Sequence, residues 1–377
     1  MGKIIGVDLG KEYARMAYLD NYGYLHEIAD NRGEKVISFP AVEEDMSAYA
    51  AVFHNIKSIA EEWINETIEE VVLSVWTRDY VQLQKIVDAA AKSGIKIARI
   101  LGRPAAAALE RSYCAATDEQ MYMIMLLEDN YIEAAMIEDT DGVVEIYAYT
   151  KKTYADNDKL KLSCIDECIE ELLKCTEMKR ADIKNVHIYV KERNVFWEAK
   201  VKEILKTSVS FFYDFQVYAA CGAAVQAAKM SGNEAADILL LNDLPYSIGI
   251  KTNDEKTVWV IEYNSLIPTK GSWLFPLNTF KKNRNIQIVY GNGNESEKVL
   301  RKITIEEGLL SAGKHIEIAM MVDANYDMVV EIKNLTTQKL QKVYLTEYRK
   351  TIIPKSKNFE KYTKYLSLVR LTKEDLK

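Results

Sequence analysis

Apolar positions near the start of the chain fall in three short runs, KIIGVDLG, YARMAYLD and YLHEIAD, separated by the turn signals Gly10-Lys11 and Asn21-Tyr22-Gly23. Runs of this length between turn residues predict three strands in an antiparallel meander. Helical spacing then appears near 55–66, followed by the apolar run VVLSV at 71–75, which reads as a buried strand. A helix is predicted over 79–93, with Asp79 as its N-cap and Gly94 as its terminator. IKIARIL follows as another strand. The run Pro104-Ala-Ala-Ala-Ala-Leu-Glu110 then opens a helix with proline in the first turn, where its fixed φ and missing N–H are harmless.

The same order then begins again. MYMIMLL, YIEAAMIED and VVEIYAYT predict a second meander, followed by a helix over about 158–178, a strand at 187–190, a helix near 196–205 and a helix over 217–230 rich in small residues (AACGAAVQAA). An internal duplication is expected. From Ala235 onward the pattern changes to period two, in IGIKT, KTVWVIEY, NIQIVYG, HIEIAMMV, DMVVEIK and QKVYL, which predicts an antiparallel β-sandwich. The fold class is therefore α/β plus all-β. Its expected divisions are an α/β domain at 1–232, a hydrophobic linker at 233–242, a sandwich at 243–345 and a short basic tail at 346–377.

Charge supports the division. Residues 1–236 carry 27 Lys+Arg against 39 Asp+Glu (−12), and residues 237–377 carry 22 against 17 (+5), which sums to the −7 of the whole chain. A net acidic chain lacks the electrostatic footing of a duplex-coating protein, so no nucleic-acid partner is expected. The longest apolar runs fall far short of the roughly 20 residues a membrane-crossing helix needs, and MGKIIGVDLG has no signal-peptide core, so a cytoplasmic protein without a membrane partner is expected. Five cysteines in 377 residues read as reduced thiols.

Cys164, Cys168 and Cys175 share a helical face, a spacing that thiolate metal ligands use. The same face carries Ile165, Ile169, Leu172 and Leu173, so the three thiols are read as small buried hydrophobes of a core stripe. The four histidines are scattered, and no metal site is expected. Asp8 stands out because Val7-Asp8-Leu9-Gly10 places a carboxylate where a strand turns. Alone, the motif reads as an ordinary aspartate turn. Within two repeats of meander and helix it fits the actin-like, duplicated ribonuclease-H-like ATPase fold.

Within that fold the chain resembles one family, the seventy-kilodalton heat-shock (DnaK-type) chaperones, over most of residues 1–345. IIGVDLG resembles the family's first phosphate motif, and VVLSVWTRDYVQLQKIVDAAAKSGIKIARILGRPAAAALE its strand-helix-strand-proline-helix block. ACGAAVQAA, beginning at Ala220, is similar to the helix before its linker, and DILLLN, beginning at Asp237, to the linker itself, with Ile238, Leu239, Leu240 and Leu241 as its apolar residues. PYSIGI at Pro245 and NSLIPTK at Asn264 resemble the opening of its peptide-binding sandwich. The resemblance implies ATP contacts at Asp8 and Gly10. It also implies a peptide pocket at Ile248, Ile250, Phe275, Ile286 and Ile288, taking extended apolar segments of other polypeptides. From periodicity alone, those five side chains read as sandwich core.

The departures concentrate at the nucleotide motifs. Where the family continues D-L-G-T-T, this chain reads Lys11-Glu12-Tyr13, and where it has the glycine turn D-L-G-G-G-T, this chain reads Leu126-Leu127-Glu128-Asp129-Asn130-Tyr131. Arg103 stands where the family has a glutamate before the proline. The segment between Pro40 and Val71, the adenine-clamping excursion after Thr150 and the glycine motif at Lys191-Glu-Arg-Asn-Val195 are shortened or altered. A carboxylate about 5 Å from a phosphate charge, at an effective dielectric of about 20, costs roughly 3 kcal/mol, on the order of a hundredfold in affinity. The site at Asp8 and Gly10 is therefore read as vestigial, with no catalytic residue and no cofactor expected. The function expected is holding apolar segments without an ATP cycle. Two alternatives stand beside it: an ATP-dependent chaperone binding ATP and magnesium weakly through non-standard contacts, and an interaction scaffold that uses neither site.

Overall fold

A computed structural model of the chain describes residues 3–39, 46–115, 120–154, 158–252, 256–280, 283–291 and 297–345. The chain divides into two compact units, Met1–Asp243 and Leu244–Lys377. The first contains β1 (Lys3–Leu9), β2 (Tyr13–Leu19), β3 (Leu25–Glu27), β4 (Val36–Ser38), α1 (Met46–Ile64), β5 (Ile68–Val75), α2 (Tyr80–Lys92), β6 (Lys96–Gly102) and α3 (Arg103–Cys114). It continues with β7 (Met121–Leu127), β8 (Tyr131–Thr140), β9 (Val143–Thr153), α4 (Asp158–Thr176), β10 (Asn185–Val190), α5 (Val195–Leu205), β11 (Ser208–Tyr213), α6 (Phe215–Met230) and β12 (Leu239–Asp243).

Two mixed sheets repeat one topology. In the first, β1, β2 and β3 form an antiparallel meander, and β5 and then β6 add in parallel on the far side of β1. In the second, β7, β8 and β9 form the meander, and β10 and then β11 add in parallel beside β7. The strand order of one sheet therefore maps onto the other, with β7 as the counterpart of β1 and β8 of β2. Alanine-rich α3 and α6 share one core with residues of both sheets, including Val72, Leu101, Ile124, Leu126 and Ile137. Glycine is required at 222, because a Cβ there would lie 1.7 Å from the carbonyl oxygen of Ala106 on α3. Two helix backbones come that close only without a side chain between them. The other face of the second sheet packs on α4 and α5 through Met123, Met125, Ile165, Leu172, Trp197 and Val201.

Local signals positioned several elements. Asp79 caps α2 by accepting from the Gln82 amide at 3.1 Å, and proline lies in the first turn of α3. Three readings change. The helix expected near 55–66 runs from Met46 to Ile64. The strand β11 was not anticipated: its six residues SVSFFY lie between two helices and are too short for a periodicity to register. Residues 233–242, expected as a hydrophobic linker, belong with Asp243 to the first unit, and Leu239–Asp243 form β12, which pairs in parallel with β9.

The second unit is all-β. Its strands are β13 (Ser247–Lys251), β14 (Thr257–Ile261), β15 (Leu266–Ile267), β16 (Thr269–Pro276), β17 (Asn285–Gly291), β18 (Lys298–Thr304), β19 (His315–Val322), β20 (Met328–Asn334) and β21 (Leu340–Tyr344). All of them but the two-residue β15 form two four-stranded sheets, ordered β14-β13-β17-β18 and β16-β19-β20-β21, with antiparallel pairing throughout. At one side the sheets are tied by Arg301 donating to the Tyr344 carbonyl at 3.1 Å and by Gln341 donating to the Thr304 carbonyl at 3.0 Å. The tail at 346–377 lies outside the described residues.

Candidate functional site

The two meanders deliver equivalent turns to one place. The first turn follows β1 and is closed by the Gly10 amide donating to the Tyr13 carbonyl at 2.8 Å. The second follows β7 and is closed by the Glu128 amide donating to the Tyr131 carbonyl at 3.0 Å. Each turn therefore ends in a tyrosine, three residues on. The aromatic ring of Tyr13 lies against Gly10, where an added Cβ would come within 2.3 Å of it.

Between the turns sits the guanidinium of Arg103, the first residue of α3 and 1% exposed. It donates to Asp8 Oδ1 through Nε at 3.2 Å, to Glu128 Oε1 at 2.5 Å and Tyr131 Oη at 3.1 Å through Nη1, and to Tyr13 Oη through Nη2 at 2.5 Å. Asp8, with no exposed surface, also accepts from the Ser74 hydroxyl at 3.0 Å and the Tyr13 hydroxyl at 3.1 Å. Tyr131 donates to Glu128 at 3.1 Å. Every member is thus paired, as a buried polar network must be if it is not to destabilise the fold.

The charges follow from these contacts. Burial pulls the Arg103 guanidinium toward losing its proton, but Asp8 first, then Tyr13, Tyr131 and Glu128, outweigh it and hold the cation firmly. Burial pushes the Asp8 carboxyl above its ordinary value, while Arg103 and the hydrogen bonds from Ser74 and Tyr13 pull the other way. Tyr13 and Tyr131 are both pushed well up by burial, so their hydroxyls stay neutral donors. Beside the cluster, Lys151 of β9 pairs with buried Glu133 at 2.9 Å, donates to the Trp76 carbonyl at 2.9 Å and lies 3.9 Å from the ring of Tyr131. Lys11 lies 4.8 Å from the Trp76 ring.

Of the sequence-predicted site residues, Asp8 and Gly10 are therefore together, and Arg103 and Glu128 join them in one ion-paired cluster. Glu128 stands beside a cation instead of presenting a bare negative charge, which alters the electrostatic reading made from sequence. Tyr13, Ser74, Tyr131 and Lys151 were missed. The signal that could have found the tyrosines is the matched spacing of VDLGKEY and MLLEDNY, which superpose Tyr13 on Tyr131 once the meanders are aligned.

The apolar linker residues are held as a strand. Leu239, Leu240 and Leu241 pair with Val143, Val144 and Glu145. Leu240 is 2% exposed and Leu239 50%, so alternate side chains face inward and outward. Arg99 of β6 donates to the Leu240 carbonyl at 3.0 Å and to Gln226 Oε1 at 3.1 Å. Arg78 makes a two-pronged pair with Asp243 at 2.6 and 3.0 Å and lies 4.1 Å from the Tyr149 ring. Ile238 is also buried.

In the second unit, Ile248, Ile250, Phe275, Ile286 and Ile288 are all buried. Ile250 faces Ile288 across the β13–β17 pair, and Phe275 stacks edge-on against Phe280 with ring centroids 5.7 Å apart. On α4, Cys164 and Cys168 lie in the core, but Cys175 is exposed although Leu172 and Leu173 before it and Thr176 after it stay buried, which corrects the expectation of three buried thiols. Among the described residues no group of three or more His, Cys, Asp or Glu side chains could hold a metal ion, and no helix is long and apolar enough to cross a membrane.

The sequence profile of a family described as Hsp70 protein matches residues 25–180 and 157–362. The chaperone protein dnaK of Guillardia theta is similar at 21% identity over 408 aligned positions, which cover 84% of this chain and 64% of that protein. The chain thus spans less than two thirds of the length of the curated relative it matches.

Proposed function

The chain belongs to the Hsp70 family, and on that premise we propose that it is a chaperone-like protein that holds extended apolar segments of other polypeptides without an ATP cycle. In this reading the first unit has the duplicated, actin-like architecture of the family's ATPase domain, which the repeated strand order supports. The second unit is a peptide-binding β-sandwich, which its two antiparallel sheets support.

One observation carries the reading: the space between the two phosphate-type turns is filled by the chain's own side chains. A nucleotide's phosphates would have to displace Tyr13 from Gly10 and strip Arg103 from Asp8 and Glu128. Each displaced group would be left buried and unpaired, and desolvating a charge without a partner costs several kcal/mol. The residues present do not fit a triphosphate. Phosphoryl transfer depends on positioning and on charge stabilisation of the transferred group, and the side-chain donors of the cluster are engaged here with its own oxygen acceptors.

Calorimetry with ATP, with and without magnesium, tests the reading. Binding weaker than about 100 μM is expected, or about −5.5 kcal/mol. Micromolar binding with magnesium-dependent hydrolysis would instead establish the ATP-dependent chaperone. Restoring glycine at Glu128, Asp129 and Asn130 should not by itself confer binding, because Tyr13 and Arg103 remain in place.

A further inference from the structure

Arg103 is more than an obstacle to a ligand. It is the one described side chain of the cluster that touches both sheets of the first unit at once: Asp8 and Tyr13 belong to the first, Glu128 and Tyr131 to the turn and strand of the second. Two further cations make the same crossing. Lys151 of β9 donates to the Trp76 carbonyl beyond β5, and Arg15 of β2 pairs at 2.8 Å with Asp214, which follows β11.

We propose that Arg103 is a built-in latch, a side chain that takes the bridging part a ligand would play and holds the two sheets of the first unit in one fixed arrangement. The inference rests on the reading that no nucleotide enters the cluster, and goes beyond it by assigning the cluster a positive task. A cleft closed by a ligand opens when the ligand and its charges leave. Here the bridging charge is covalently part of α3 and cannot leave. Its guanidinium is almost wholly desolvated, a state tolerated only while its donors have acceptors in good geometry. Moving the sheets apart would separate it from Asp8 and Tyr13 or from Glu128 and Tyr131, whichever sheet it followed. The broken bonds would be replaced by water only if the cleft opened wide enough to admit it. Small openings are therefore suppressed, and the arrangement is independent of ligand. The equivalence of Tyr13 and Tyr131 makes the bridge nearly symmetric, one tyrosine from each meander on a single guanidinium.

Hydrogen exchange read by mass spectrometry on the full chain tests the latch, using wild type with and without excess Mg-ATP, Arg103→Met, and the milder Glu128→Gln and Tyr131→Phe. In Arg103→Met, exchange at 9–13 and at 128–131 should rise together by about tenfold or more, while β16 to β21 exchange as in wild type. Each milder variant should raise both segments by less. Wild type should be unchanged by Mg-ATP. The latch is overturned if a folded Arg103→Met exchanges like wild type, or if only one of the two turns responds. Should Arg103→Met not fold, the milder pair decides, and a rise confined to 128–131 overturns the proposal. Calorimetric binding of Mg-ATP to wild type would sink the preceding reading and the latch with it. No binding together with an unresponsive Arg103→Met would sink the latch alone.

Discussion

At the end of the first strand, the contacts of Asp8 tie it into the polar network around Arg103. Asp8 is fully buried, and it accepts from Arg103, Ser74 and Tyr13. Asp8→Ala leaves a buried guanidinium short of its principal counter-charge and should lower unfolding free energy by about 3–5 kcal/mol, measured by urea denaturation. Asp8→Asn keeps the shape and an acceptor oxygen, and should cost clearly less. Equal costs would mean that the carboxylate's charge does nothing here. The sequence flagged Asp8, Arg103 and Glu128 individually, by comparison with a motif. It did not show that they meet, because the partners lie 95 and 25 residues apart along the chain and only the duplicated topology brings them together. The cysteines offer a second residue-scale check. Burial pushes the Cys168 thiol up to about 12, whereas Cys175 is exposed on the last turn of the same helix. Alkylation of native protein at mildly alkaline pH, mapped by mass spectrometry, should modify Cys175 well before Cys168, since the thiolate is the nucleophile and access limits it. The reverse order would show that α4 does not pack as described.

At the scale of elements, the α/β half was legible where local chemistry decides. The Asp79 cap, the early proline of α3 and the small-residue face of α6 all speak through their own neighbours in sequence. It was illegible where partners decide. SVSFFY becomes β11 because β10 offers it a parallel edge, and LLLND becomes β12 because β9 does. Neither fact is written in six or five residues. The linker strand supports a sharp contrast. Leu240 is buried against the core shared by both sheets, while Leu239, one position away, points outward. Leu240→Ala should therefore cost about 2–5 kcal/mol, and Leu239→Ala should fall within about 0.5 kcal/mol of wild type. Limited proteolysis gives an independent measure. Cleavage at 238–243 should be slow in wild type, unaffected by ATP, and faster in Arg78→Ala, which gives up the two-pronged pair with Asp243 and the stacking on Tyr149. Protection that changed strongly on adding ATP would show a switchable strand, contrary to a latch that needs no ligand.

At the scale of the whole molecule, the acidic and basic halves seen in composition correspond to two differently built units, and under the proposed reading the second works without a nucleotide signal from the first. That yields a prediction distinct from ordinary behaviour in an ATP-driven chaperone. The full chain should bind short fluorescent peptides rich in Leu or Ile, through main-chain hydrogen bonds and an apolar pocket, with an affinity that ATP and magnesium leave unchanged within about twofold. Peptide side chains need burial and an extended backbone needs partners, so charged or proline-interrupted peptides should bind more weakly. The side chains proposed to line the pocket, Ile248, Ile250, Phe275, Ile286 and Ile288, are buried without a ligand, so binding must draw on residues that also stabilise the sheets. Ile288→Ala should accordingly weaken peptide binding and lower stability together, by about 2–5 kcal/mol for the latter. Ile332→Ala, equally buried but on β20 of the other sheet, should lower stability alone. Fluorescence anisotropy on both variants, with circular dichroism to establish that each is folded, separates a pocket from a mere core. If both lose stability and neither changes binding, the five residues are core. If folded wild type binds no peptide of a broad apolar panel at about 100 μM, roughly −5.5 kcal/mol, the scaffold reading replaces the holding one.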